Sequence, residues 1–223
     1  MNPDSTIPGS SSIPPGGEWE IQLTARLLGE LPEEQSKALD DAMARDPELA
    51  RLNATPPYTG SYSSFLEVFE SRRLFPGDSG AFSIETVDGV HIGNVMYYNA
   101  NSAGGAAEFG ITIGHSAFRG AGIGTAVTVA FLRLLWQTTP LRRMELHALD
   151  WNERAIRSFR KAGFEECARV IRANGDVLMR MEVRREWWLL WDAEGRFTQF
   201  DRIEPLQGDD PAAERAPSAT VPR

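Results

Sequence analysis

The residues best suited to chemistry lie in one stretch, Glu108 to Thr125, which has the sequence EFGITIGHSAFRGAGIGT. An apolar strand, Phe109 to Ile113, leads into a loop and then into the glycine-rich turn Arg119 to Gly124. A helix with apolar periodicity is predicted from Thr125 to about Trp136. Glycines let a backbone approach a ligand closely, and a helix N-terminus attracts anions. The stretch therefore predicts a binding place for a phosphate-bearing ligand, to which Arg119 adds a charged donor.

The glycine-rich turn alone leaves the ligand open. No Lys-Ser/Thr pair follows Gly124, so the Walker A signature is missing. A dinucleotide-binding fingerprint would need a third glycine at position 127, which is Val127. A flexible surface turn without a ligand is the alternative interpretation.

A second motif, NERAIRSFRKAGF from Asn152 to Phe164, follows a predicted strand. Together with Arg119-x-x-Gly122-x-Gly124, this motif resembles the GNAT superfamily of N-acetyltransferases. The family pattern, roughly N-x-x-A-x-x-x-Y-x-K-x-G-F, is matched at Asn152, Ala155, Lys161, Gly163 and Phe164. The segments starting at His91 and Glu108 are similar to the branch of ribosomal-protein and polyamine acetyltransferases. The resemblance covers roughly residues 20–190.

This resemblance implies acetyl-CoA as the co-substrate. The pantetheine arm would pair with the strand edge at Ile111 and Ile113, and Asn152 would hydrogen-bond further along the arm. Phe159 would lie near the thioester sulfur. The pyrophosphate would be held by the backbone N–H groups of Arg119, Gly120, Ala121, Gly122, Ile123, Gly124 and Thr125.

Phe159 departs from the family pattern, because many members have a tyrosine there as a proposed general acid. Phenylalanine cannot donate a proton, but a thiol with a pKa of roughly 8.5 leaves acceptably as a thiolate. The neighbouring Ser158 is an alternative donor, although a capping or surface role is the simpler explanation. We therefore expect catalysis to depend mainly on positioning and on a base.

Glu108 is the predicted base. For a lysine-like or polyamine nitrogen, deprotonation at pH 7 costs about 4.6 kcal/mol, whereas for an α-amino group it costs only about 1–1.4 kcal/mol. Strand alternation places Glu108, Gly110 and Thr112 on one face, so the carboxylate could act directly or through water. A structural carboxylate held by an ion pair is the alternative.

The predicted function is acetyl transfer from acetyl-CoA to an amine by direct attack in a ternary complex. The acceptor is a peptide or ribosomal-protein N-terminus, a polyamine or an aminoglycoside-like small molecule. We expect the acceptor surface to come from residues around Asn53 to Phe69 and from the strand bearing Tyr97 and Tyr98. The alternatives are a non-catalytic acyl-CoA-binding module, favoured by Phe159, and a partner-binding scaffold.

Composition limits the class of protein. The chain has 31 acidic and 23 basic residues and a net charge of −8, which argues against a nucleic-acid partner. One cysteine, Cys167, excludes an internal disulfide and favours the reducing cytoplasm. No apolar run reaches the ~20 residues of a membrane span, so no membrane partner is expected.

The remaining reactive or bulky side chains carry weaker signals. His91, His115 and His147 lack ligand spacing, so no metal is predicted, and Cys167 is interpreted as a packing residue. His147 could line a cleft, although a hydrogen-bonded sheet histidine is the simpler interpretation. Three tryptophans near the C-terminus predict packing or self-association, which allows a homodimer; they are Trp187, Trp188 and Trp191.

The element order predicts an α/β GNAT fold with a mixed, mostly antiparallel central sheet and helices on both faces. Residues 1–17 are low in complexity and are expected to be disordered, as is the tail at 207–223. The acetyltransferase domain is placed at 18–206, with an aromatic C-terminal extension. Predicted early elements are a strand within Glu18–Leu28 and helices over Pro32–Arg45 and Tyr62–Arg73.

Overall fold

The computed structural model describes residues 21–25, 43–71, 79–86, 91–101, 103–201 and 203–205. The two tails predicted at 1–17 and 207–223 lie outside these residues, as does most of the helix predicted over Pro32–Arg45. The domain boundaries at 18 and 206 therefore stay predictions.

The fold is built on one eight-stranded sheet with the order β6-β7-β5-β4-β3-β2-β1-β8. The pairings β4–β5 and β1–β8 are parallel and all the others are antiparallel. The strands are β1 (Ile21–Ala25), β2 (Gly80–Thr86), β3 (His91–Asn101), β4 (Ala106–Ile113), β5 (Arg143–Leu149), β6 (Glu165–Ile171), β7 (Val177–Arg184) and β8 (Ile203–Pro205). The mixed, mostly antiparallel sheet with its helices confirms the predicted fold class.

Five α-helices lie wholly within the described residues, and residues 43–45 are helical as well. The five helices are α1 (Pro47–Leu52), α2 (Tyr62–Ser71), α3 (Ile123–Thr138), α4 (Glu153–Lys161) and α5 (Arg185–Ala193). Short 3-10 helices cover Ser116–Phe118 and Thr198–Phe200. None of the helices in the described ranges is long and apolar enough to cross a bilayer.

Helix α1 was not predicted, because its six residues are too few to show helical periodicity and a breaker-rich stretch, NATPPYTGS, follows them directly. Its N-terminus nevertheless follows a recognised pattern, with Asp46 as the N-cap and Pro47 in the first turn. The Asp46 side chain accepts hydrogen bonds from the N–H groups of Glu48 and Leu49. This Asp-Pro pair is the signal that could have revealed the helix.

Helix α3 is the centre of the core. Its side chains Val127, Val129, Phe131 and Leu132 are all fully buried. Phe131 packs against the sheet through Phe82 and Phe109, with ring centroids 5.2 and 5.9 Å apart. The other side of α3 is covered by the C-terminal extension, to which Arg133 is joined by ion pairs with Asp192 and Asp201. Helix α3 is apolar on all sides because the sheet covers one side of it and the C-terminal extension covers the other.

The three C-terminal tryptophans have different environments. Trp188 is fully buried, stacks on Phe197 at 4.8 Å and donates a hydrogen bond to the Ala162 carbonyl. Trp191 is partly buried against the core, whereas Trp187 is 53% exposed. Trp188 is therefore a core residue, in agreement with the packing interpretation.

Cys167 differs from its predicted packing role, because it is exposed on β6. Every residue of β6 is exposed and the strand lies at the end of the sheet order, so no neighbouring layer among the described residues covers it. Partial desolvation of the sulfur and the neighbouring Glu182 carboxylate raise the pKa of the Cys167 thiol, which disfavours the reactive thiolate.

We predict that Gly163→Ala destabilises the domain more than Gly175→Ala. Both glycines have positive φ, +99° and +89°, so both substitutions strain the backbone by about 1–2 kcal/mol. A Cβ at position 163 would also lie 2.9 Å from Trp188 Cδ1, whereas nothing lies within 4 Å of one at position 175. Urea unfolding of both variants measures the difference, and equal losses would contradict the close packing around Trp188.

Candidate functional site

The site begins where β4 and β5 separate. These parallel strands pair only through Ala106–Glu108 and Arg143–Glu145. Beyond those pairs no ladder joins β4 to β5, and the separated ends, Phe109–Ile113 and Leu146–Leu149, line a cavity of about 660 Å³. A strand edge without a partner presents backbone donors and acceptors to a ligand. The cavity is therefore bounded by two strand edges that could each hydrogen-bond an extended molecule.

The glycine-rich turn forms one end of this cavity. Gly120 and Gly122 have φ of +88° and +85°, and Gly122 is the N-cap of α3. No atom lies within 4 Å of a Cβ built on either glycine, so the space beside them is open. The N–H groups of residues 120–124 make no hydrogen bond to any described residue, whereas those of Thr125 and Ala126 donate to the Gly122 carbonyl. This arrangement suits an anion at the N-terminus of α3.

Positive side chains surround the same cavity. Arg154, Arg157 and Lys161 lie on one face of α4, and Arg119 and Arg172 add two further cations. Within the described ranges no aspartate or glutamate lines the cavity. A protein with a net charge of −8 thus concentrates positive charge at one cavity. The electrostatic field there favours a polyanionic ligand.

Arg119 is held by the protein itself. Its Nε donates to the Ile113 carbonyl at 3.0 Å, and Nη2 donates to the Gly114 carbonyl at 2.6 Å. The same guanidinium pairs with Asp46 at 3.4 Å and Glu48 at 3.2 Å, and its side chain is 10% exposed. Arg119 therefore joins α1 to the end of β4 and to the glycine-rich turn. Its guanidinium has little donor capacity left for a phosphate.

Asn152 lies at the opposite side of the cavity as the N-cap of α4. Its Oδ1 accepts a hydrogen bond from the Ala155 N–H at 3.3 Å. The Nδ2 group forms no hydrogen bond to a described residue and remains available to a ligand. Capping and ligand binding are thus compatible for this side chain.

Phe159 lines the cavity from α4. Its ring makes edge contacts with Phe109 and Phe164, with centroids 5.9 and 6.0 Å apart. The adjacent Ser158 hydroxyl bonds the Thr125 hydroxyl at 2.8 Å and so joins α3 to α4. Ser158 therefore has a structural partner, but it joins two helices and does not cap one.

Glu108 does not line the cavity, although it follows the strand alternation expected for it. It lies beside Tyr98 in the β3–β4 register, and the Asn99 amide donates to its Oε1 at 2.8 Å. Tyr98, in contrast, lines the cavity. Burial and the adjacent Glu108 carboxylate raise the pKa of Tyr98.

The predicted cofactor-binding residues mostly converge on the cavity. Those that line it are Ile111, Ile113, Arg119, Gly120, Gly122, Gly124, Thr125, Asn152 and Phe159. Ala121 and Ile123 belong to the same turn but do not line the cavity; Ile123 is buried in the core. The cations of α4 and Arg172 were missed, and the i, i+3, i+7 spacing of Arg154, Arg157 and Lys161 was the available signal.

The histidines occupy three different surroundings. His147 lines the cavity, His91 is buried against Ser83, and His115 is half-buried beside Phe118. Burial and the nearby Arg119 lower the pKa of His115. No group of three or more potential ligand side chains in the described ranges could hold a metal ion.

Comparisons with known proteins agree with this geometry. The model of the acetyltransferase (GNAT) domain family matches residues 27–165, which is more than half of the chain. The chain therefore belongs to the GNAT family and is an N-acetyltransferase. No sequence match was found among curated proteins.

Solved structures with the same fold include spermidine N-acetyltransferases from Vibrio cholerae. One, in complex with CoA and spermine, has a TM-score of 0.65 and 20% identity, over 75% of this chain and 98% of that one. A pair of mutant forms of the spermidine/spermine enzyme gives 0.62 and 18%, over 78% and 98%. A complex with manganese ions gives 0.59 and 20%, over 77% and 96%. At these identities the similarity shows a shared fold.

We predict that Arg119→Ala lowers the free energy of unfolding by about 2–4 kcal/mol, because it breaks several charge-assisted hydrogen bonds of a nearly buried group. Arg119→Lys should recover only part of this loss, since an ammonium cannot reproduce the guanidinium fork. Urea unfolding without ligand measures both.

The matched control is Arg157→Ala, which removes an exposed i, i+4 ion pair with Glu153 and should cost less than about 0.5 kcal/mol. If Arg119→Ala cost no more than this control, the structural role of Arg119 would be wrong.

Proposed function

We propose that the chain binds acetyl-CoA in the cavity between β4 and β5 and transfers the acetyl group to an amine. This proposal rests mainly on one observation. Free N–H groups at the glycine-rich turn and five cationic side chains meet at one cavity. CoA is an extended molecule with a polyanionic end, so both its shape and its charge match. One structural relative with this fold contains CoA, which supports the same proposal.

The residues of this chain have distinct tasks in the proposed complex. The N–H groups at Gly120 to Gly124 bind the pyrophosphate, and the α4 cations attract the phosphates. The free edge of β4 at Ile111 and Ile113 pairs with the pantetheine amides, in the manner of an added strand. Asn152 donates from its free Nδ2 further along the arm. When bound, acetyl-CoA supplies an acetyl group activated as a thioester.

Phe159 covers the proposed position of the sulfur with an apolar ring. Because it cannot donate a proton, the sulfur leaves as a thiolate, whose conjugate acid has a pKa of roughly 8.5. Rate enhancement then comes from holding the amine against the thioester and from removing the amine proton. Direct transfer in a ternary complex needs no covalent intermediate on the protein.

The acceptor is an amine-bearing small molecule or a peptide N-terminus. Polyamines are supported by the spermidine acetyltransferases among the structural relatives. Peptide N-termini are supported by chemistry, since an α-amino group loses its proton far more readily. The expected acceptor end of the cavity is lined by Leu49, Leu52, Asn53, Ala54, Thr55, Met96 and Tyr98.

Two measurements test the proposed function and its rival. Calorimetric titration with acetyl-CoA should show binding, and thiol release should then rise with at least one acceptor among polyamines, aminoglycosides and peptides with free N-termini. Binding without thiol release above background would favour the non-catalytic acyl-CoA-binding module. No binding of acetyl-CoA would contradict both.

We predict that Arg154→Gln and Lys161→Gln each weaken CoA binding about two- to fivefold. Neither side chain forms a hydrogen bond or ion pair with a described residue, so each is free to meet a phosphate. A partly screened charge contact contributes about 0.4–1 kcal/mol, which corresponds to that change in Kd. The effect should shrink as salt rises.

Arg169→Gln is the matched control, because Arg169 is exposed on β6 and does not line the cavity. Titration calorimetry at two salt concentrations compares the three variants. Equal weakening by all three would show a general charge effect and would contradict a phosphate site on α4.

We also propose a cytoplasmic protein, on the basis of its single cysteine. The exposed side chains of Trp187, Leu189 and Leu190 on α5 support a homodimer contact. Sedimentation of the intact protein and of Leu190→Glu tests this contact. A truncation before α5 would not be a clean test, since it would remove the core residue Trp188.

A further inference from the structure

Tyr98 and Phe159 approach the cavity from different faces of the sheet. In the β3–β4 register Tyr97 pairs with Phe109 and Tyr98 pairs with Glu108, so Tyr98 and Phe109 point to opposite faces. Phe159 contacts Phe109. Tyr98 therefore lies on the face away from the proposed position of the thioester sulfur, which is where an acceptor would enter.

The Tyr98 ring packs against Gly110. A Cβ at Gly110 would lie 3.4 Å from Tyr98 Cε1 and 3.3 Å from Met96 Cγ, so the ring lies directly beside the β4 backbone. Gly110 and Tyr98 both line the cavity, whereas Glu108 does not. A substrate in the cavity would thus meet the phenol and not the carboxylate.

Glu108 is oriented by an irregularity in β3. Asn99 has φ of +53°, a conformation that non-glycine residues rarely adopt, and the β3–β4 register shifts between Tyr98 and Asn101. In this position the Asn99 amide donates to Glu108 Oε1 at 2.8 Å. Tyr98 is the direct cross-strand partner of Glu108, so its phenol lies on the same face of the sheet as this carboxylate, which raises the pKa of Tyr98.

The charged neighbour of this pair on β5 already has ion-pair partners of its own. Glu145 is the β5 residue in register with Glu108, and it is paired with Arg143 at 2.7 Å and Arg180 at 2.9 Å. Met96 and Gly110, which flank the Tyr98 ring, carry no charge. The raised pKa of Tyr98 keeps the phenol protonated at neutral pH, so the hydroxyl is available to pass a proton on.

We propose that Tyr98 contacts the acceptor nitrogen and relays its proton to Glu108. The acceptor ammonium gives a proton to the phenol oxygen while the phenol proton moves to the Glu108 carboxylate, so Tyr98 ends neutral and Glu108 ends protonated. The neutral amine then forms the N–C bond and the C–S bond breaks. Sulfur leaves with the bonding electron pair, and the surplus proton on nitrogen passes to water. This inference rests on the proposed function.

The test compares Tyr98→Phe, Glu108→Gln and the double variant with two acceptors. For a polyamine, each single variant should lower kcat/KM by about 100-fold, and the double variant should be no worse, because both changes break one relay. For a peptide with a free α-amino group the loss should be less than about tenfold. The acidic limb of the pH profile should move to higher pH equally in all three variants.

Tyr97→Phe is the matched control, because Tyr97 packs against the core and does not line the cavity. It should keep near-wild-type kcat/KM, and acetyl-CoA titration of every variant checks that the cofactor site is intact. Full activity in Tyr98→Phe would overturn the relay, as would losses that multiply in the double variant. A wild-type chain that turns over no acceptor would instead contradict the proposed function itself.

Discussion

The structure depends on one constraint, the separation of β4 and β5 after three residue pairs. In a continuous sheet the backbone groups of Phe109–Ile113 would be satisfied by the next strand. Here they face a cavity, and every neighbouring feature is placed to use that cavity: the glycine-rich turn closes one end, α4 forms a wall, and β3 contributes Tyr98. An extended ligand can complete the interrupted sheet with backbone hydrogen bonds, which is how we propose that acetyl-CoA binds.

The cations around the cavity fall into two groups, those paired within the protein and those that are unpaired. Arg119 is the first residue of the glycine-rich turn. The hydrogen bonds and ion pairs of its guanidinium hold α1, the end of β4 and the turn together. Arg154 and Lys161, in contrast, are exposed on α4 and unpaired with any described residue, so in the proposed complex they are free to meet an anion. Rigid positioning and ligand attraction are thus assigned to different arginines. Phe159 and Tyr98 are separated as well, because they approach the cavity from opposite faces of the sheet.

Much of the fold was predictable because its strands and helices have clear periodicity. The strands β1 and β4 and the helices α2 and α3 were predicted within a few residues. Helix α1 was missed, because six residues between breakers carry almost no periodic signal and only the Asp46-Pro47 cap marks it. The packing of Trp188 was left among several alternatives, since a tryptophan in a C-terminal segment can equally cover a core or a partner.

The sequence by itself determined the class of protein. The glycine spacing, the Asn152–Phe164 motif and the order of elements along the chain can all be read from it directly. Most of the residues that it predicted for cofactor binding, among them Ile111, Asn152 and Phe159, line the cavity. Only the tertiary structure decided which atoms are free. Arg119 is occupied by Asp46 and Glu48, more than 70 residues away in sequence. Glu108 lies behind Tyr98, because cross-strand register and the bulge at Asn99 aim side chains in ways that residue spacing does not encode.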